Sequence, residues 1–200
     1  MTQLSALLFG CLLATAASLP VAAHTTQYAA TLAGSSEIPP NASPGVGAGL
    51  VTIDFDVFTM RVQASFSDLL GNTSAAHIHC CTAVPGTANA GVATMVPNFN
   101  GFPLGVTAGT FDNTFDMSLA TSWNPAFVTA QGSLANAFNA LVAGMETGNA
   151  YLNIHTSEFG GGEIRGLLHT VAVPEPQTYA LMGIGLALLG WTARRRRTLG

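Results

Sequence analysis

Two histidines one residue apart, His77 and His79, and a third far downstream, His155, are the residues of this 200-residue chain best equipped for chemistry. Alternate residues of a β-strand project to the same side, so a strand through His77 and His79 presents two imidazoles on one face. Two ligands do not make a site. A zinc or copper centre asks for a third and usually a fourth donor, and the candidates are His155, Cys80, Cys81 and Glu163. The plainer expectation is that His77, His79 and His155 hydrogen-bond to backbone or carboxylate groups at one end of the domain, with no cofactor. Cys80 and Cys81 could bond to each other, ligate a metal or bridge two molecules, and a structural pairing is the first expectation. Glu163 and Arg165 lie two apart on a strand and share a side, which predicts a structural ion pair between them or with a neighbouring strand. No serine or cysteine sits in a nucleophile elbow or triad pattern, and no glycine loop is followed by a helix that could cradle phosphate. No catalytic residue is expected.

The elements that must carry these residues are mostly strands. The stretch 151–168 reads as a hairpin. In its first arm Leu152, Ile154 and Thr156 alternate with Tyr151, Asn153 and His155, so that one face is buried and the other is not. Gly160, Gly161 and Gly162 make the turn, and 163–168 returns. Upstream, Val51, Ile53, Phe55 and Val57 fall on odd positions and Phe58, Met60, Val62, Ala64 and Phe66 on even ones, a change of phase that predicts a reversal near 56–59. Phe111, Phe115, Met117 and Leu119 predict another half-buried strand. Only 133–147 shows helical spacing, with Ser133 as N-cap, Gly148 as stop and a stripe of Leu134, Phe138, Leu141 and Met145 to cover an open end or edge of the sheet. Short strands separated by Pro- and Gly-bearing turns predict a mainly β domain, an antiparallel β-sandwich with one amphipathic helix.

The two ends differ from this body. There is no lysine, hydrophobic residues reach 48%, and four of the six basic residues are Arg194, Arg195, Arg196 and Arg197. Between 24 and 173 nine acids face only Arg61 and Arg165, a balance of −7. That excludes nucleic acid as the expected partner, since such binding needs a basic footprint. Residues 1–23 end an apolar run in Val21, Ala22 and Ala23, the pattern of a signal peptide cleaved before His24, which would remove Cys11. The span 24–172 suits a single domain, and 173–200 is a tail. Within the tail, 177–193 is apolar and near the short limit for a membrane-spanning helix. The arginines that follow it hold their end in the cytoplasm and place the domain outside.

Three motifs occur in order: LAGSSEIPP at 32–40, AHIHC at 76–80 and HTSEFGGGEIRG at 155–166. Together they resemble the opening, central and closing motifs of the CHRD domain, named from chordin, over about residues 25–170, with Gly160 standing where the family usually has proline. The tail resembles the PEP-CTERM sorting signal of Gram-negative bacteria, with Pro174, Glu175 and Pro176 as the motif, then the apolar stretch, then the arginines. That second resemblance implies transient anchoring in the inner membrane, cleavage by an exosortase-type protease, and release to the cell surface or an extracellular matrix that can contain exopolysaccharide. The CHRD resemblance implies fold and destination but no reaction. The expectation is an exported, non-catalytic binding or structural module. The alternative is a zinc- or copper-binding protein with redox capacity at His77, His79 and His155.

Overall fold

The computed structural model of the protein describes residues 24–171, together with 182–187, 189 and 194. The expected signal peptide and Pro174, Glu175, Pro176, Arg195, Arg196 and Arg197 lie outside the described residues. Residues 182–187 are helical. Among the described residues no helix is long and apolar enough to cross a membrane.

Among the described residues eight antiparallel strands form one curled sheet. They are β1 (Thr25–Ala33), β2 (Val46–Asp54), β3 (Thr59–Ser67), β4 (Thr73–His79), β5 (Gly109–Asp116), β6 (Tyr151–Thr156), β7 (Ile164–Leu167) and β8 (His169–Val171). The lateral order is β4-β6-β7-β1-β2-β3-β5, and β8 pairs with β1. Two separate sheets were expected, but the ladder is continuous because β1 is shared. It pairs along its whole length with β2, and its other edge meets β7 at Ala33 and β8 at Gln27, Tyr28 and Ala29. The sheet then closes over its own core. Leu152 of β6 occupies the space that a Cβ at Gly49 of β2 would need.

The alternation read from the sequence packs within the strands, but Val57, Phe58 and Leu119 lie beyond the strand ends and are exposed. Tyr28, Ala30 and Leu32, Val51 and Ile53, Met60, Val62, Ala64 and Phe66, and Phe111 and Phe115 are all buried in the common core. The reversal between β2 and β3 falls at 55–58, where the phase changes. Asp54 Oδ1 accepts the Asp56 and Val57 amides in that turn.

Within residues 24–171 two α-helices are present where one was expected. The first, α1 (Pro125–Gln131), is capped by Asn124, whose side chain accepts the Ala126 amide, and has Pro125 at its first position. That is a strong start signal in a helix too short to show periodicity. The second, α2 (Leu134–Glu146), is the predicted one, with the Ser133 side chain accepting the Asn136 amide. Its Phe138 packs edge-on against Phe55 and Phe58 at the β2–β3 turn, so the helix closes one end of the sheet.

The edge strand β4 is covered by an irregular segment. Ala93 donates to the Ile78 carbonyl and Phe99 to that of Ala76. This cover explains the main departure from the strand pattern: all six residues of β6 are buried, not only every second one.

Candidate metal centre

The β4–β6 ladder sets His77 opposite Asn153, His79 opposite Tyr151 and Ala75 opposite His155. Since β6 also pairs with β7, Arg165 lies across from Asn153 on the other side. Alternation sends Ala76, Ile78, Leu152, Ile154 and Ile164 into the apolar core and His77, His79, Tyr151, Asn153, His155 and Arg165 to the opposite face. That face is polar and still buried: His77, His79 and His155 are 6%, 7% and 9% exposed.

The three rings converge. Their centroids are 5.2 Å apart for His77 and His155, 5.5 Å for His79 and His155, and 5.8 Å for His77 and His79. One potential ligand atom from each lies within 4.8 Å of the others, in the one such group of three among the described residues. Each imidazole is also held from behind by a backbone carbonyl. His77 Nε2 is 2.6 Å from the Pro97 oxygen, His79 Nδ1 is 2.9 Å from that of Ala90, and His155 Nδ1 is 3.0 Å from that of Gly160.

A carbonyl oxygen only accepts, so each of these bonds places the ring proton on the nitrogen that makes it. A neutral imidazole carries one N–H, which leaves a bare lone pair on His79 Nε2, His155 Nε2 and His77 Nδ1. The first two nitrogens are 3.3 Å apart, and the third has no hydrogen-bond partner. Burial pushes His77 and His79 down to about 4 and lowers His155 as well, with Arg165 adding to the shift in His79 and His155. All three rings are therefore neutral at neutral pH. Two facing lone pairs with no proton between them repel. A cation between them removes that repulsion. Two nitrogens bound at about 2.0–2.1 Å with a tetrahedral angle at the metal stand about 3.3–3.4 Å apart, which is the separation found here. Carbonyls holding the outer nitrogens are the usual support for histidine ligands.

The other sequence candidates are not part of this cluster. Cys80 and Cys81 form a disulfide with each other and pack against Gly144 of α2. Glu163 and Arg165 do not pair, which corrects the expected ion pair. The Glu163 carboxylate accepts from the Ser43 and Thr156 hydroxyls and from the Leu70 and Gly71 amides, tying two loops to the hairpin. Arg165 instead pairs with buried Glu37 at 2.5 Å and donates to Asn89. Each charge found the group that its own loop environment delivered, 120 or more residues away in the case of Ser43 and Glu37.

A model of the CHRD domain matches residues 28–168, which is most of the chain. The chain belongs to the CHRD domain family. The PEP-CTERM protein-sorting motif matches residues 172–197. Together the two matches mark an exported protein handled by exosortase-type machinery at the membrane of a Gram-negative bacterium, and neither is an enzyme family. No curated protein and no solved structure matches the chain.

In this CHRD domain the three sequence motifs meet around the histidines. The central motif supplies His77 and His79, the closing one His155 and Arg165, and the opening one Glu37. Residues that sequence reasoning left out complete the surroundings. Tyr151 stacks on His79, 4.9 Å between centroids and 6° between planes. Arg165 lies 4.4 Å from the centre of the same phenol ring. The Tyr151 hydroxyl accepts the Ala90 amide, so it fixes the residue whose carbonyl orients His79. The only advance signal for Tyr151 was its place on the His155 face of the strand.

Proposed function

We propose that this is an exported, exosortase-sorted module of the envelope or extracellular matrix whose CHRD domain binds one zinc or copper ion through His77, His79 and His155. The role is binding rather than catalysis, and redox capacity would follow only if copper is the ion held. The observation that carries this reading is the 3.3 Å approach of His79 Nε2 to His155 Nε2 with both Nδ1 atoms already committed to carbonyls. In a purely structural cluster one would expect each buried polar atom to find a partner, and here His77 Nδ1 has none while the two Nε2 atoms have only each other. All-imidazole donor sets suit zinc and copper and not calcium or magnesium.

The test is metal content and titration of the mature protein. Binding of zinc or copper at about one equivalent, abolished by His79→Ala with the fold retained, supports the metal site. Metal-free protein that takes up neither ion, and loses stability on His79→Ala, returns the histidines to a structural role.

A further inference from the structure

Four buried side-chain polar atoms among the described residues have no hydrogen-bond partner: Tyr28 Oη, Glu37 Oε1, His77 Nδ1 and Asn153 Oδ1. The last two belong to residues directly opposite each other in the β4–β6 ladder, on the same face as the histidine cluster. Side chains so paired have Cβ atoms about 4.5–5.5 Å apart. Asn153 is 0% exposed. Its amide nitrogen reaches the Gly161 carbonyl at 3.5 Å, which leaves the oxygen a desolvated acceptor with no partner, on the strand face that carries the three histidines. A metal would satisfy the nitrogens. It would not by itself satisfy the oxygen, because a neutral amide carbonyl is a poor ligand for an ion chosen by imidazoles. What satisfies both is a hydrogen-bond donor on the metal.

We propose that the centre is open: its fourth position carries a water molecule that donates a proton to Asn153 Oδ1, and this position exchanges with small anions. The inference rests on the metal reading above and adds the class of ligand and the residue that positions it. Three protein ligands plus water is the arrangement of exchangeable zinc sites, whereas closed structural sites use four protein ligands. Asn153 acts through the water and is a positioning residue. As an acceptor it favours bound water, the better donor, over hydroxide. It disfavours an anion such as azide, which has no proton to offer it.

Cobalt(II) provides a visible spectrum that reports both events. The mature protein is loaded with cobalt(II), and the spectrum is followed against pH and against azide. Wild type is expected to show one pH transition and an azide-dependent change. Asn153→Ala should lower the transition by about one pH unit and tighten azide by about tenfold, the equivalent of one hydrogen bond. Asn153→Asp, nearly the same shape, should raise the transition and weaken azide, and it serves as the test if the alanine variant does not fold. Cobalt bound by wild type with a spectrum indifferent to pH and azide overturns the open position while leaving the metal site standing. Transitions unmoved in both variants overturn the role of Asn153. Failure of wild type to bind cobalt overturns the metal reading and this inference together.

Discussion

Lowering the pH from about 7.5 to about 5 should destabilise the metal-free protein through the buried histidines. The sign follows from the direction of the shifts. His77 and His79 are pushed down to about 4 in the fold by burial, while in the unfolded chain they titrate at about 6.5. Between these values the unfolded chain binds more protons, so stability is complete above the unfolded value and is lost as the pH falls toward the folded one. At about pH 5 each ring costs about 2 kcal/mol by linkage, and His155, also lowered by burial, acts in the same direction. Glu37 opposes them in part, because burial pushes its carboxyl up in spite of Arg165. The net loss should be about 3–4 kcal/mol, seen as a fall of roughly 2 M in the urea midpoint for a domain of this size. Urea unfolding followed by circular dichroism in chelator at the two pH values measures it. A triple His77→Asn, His79→Asn, His155→Asn variant should lose most of the dependence. A midpoint that is flat over this range in wild type would refute the premise that the three rings are buried neutral.

Three other outcomes follow from particular contacts. Gly162 has φ of +127° and a Cβ there would overlap the Asn153 carboxamide, whereas Gly160 and Gly161 have open space around them. Gly162→Ala should therefore cost about 1–3 kcal/mol and Gly161→Ala almost nothing, by thermal unfolding of both variants. Burial pushes the Glu163 carboxyl up, but Ser43, Thr156 and the Leu70 and Gly71 amides together pull it below the usual carboxylate range. Its contribution is thus present above about 4.5 and fades at lower pH, and Glu163→Ala should cost about 3 kcal/mol near neutrality by leaving four donors unpaired. Replacement of Pro174, Glu175 and Pro176 together should leave the protein at the membrane with Arg194, Arg195, Arg196 and Arg197 attached, read by fractionation and intact mass.

Strands β2, β3 and β5 were legible because each has one face in solvent, so Val51, Met60 or Phe111 alternate with polar neighbours and the period of two survives in the sequence. Strand β6 was legible as an element but not in its burial. The segment that covers His77 and His79 is an irregular stretch through Ala90 and Pro97, and nothing periodic announces where it lies. His-x-His was visible as spacing, but its meeting with His155 depends on the pairing of β4 with β6 across 76 residues. The partner of Arg165 was misread for the same reason: local spacing offered Glu163, and the fold delivered Glu37 from 128 residues away. A single sheet in place of two could not be read from strand patterns, because the difference lies in which strands share the edge of β1. The three motifs shared with CHRD domains, by contrast, were local and specific, and they meet in space at the histidines.

Anomalous diffraction from crystals of the mature protein grown with zinc or copper, collected at the absorption edge of that metal, tests the central claim most directly. The account predicts one strong peak about 2.0–2.1 Å from His79 Nε2 and His155 Nε2 and within bonding reach of His77 Nδ1, with the outer nitrogens still on the carbonyls of Ala90, Gly160 and Pro97. A peak elsewhere on the surface, or no peak with the three rings unmoved, would contradict it.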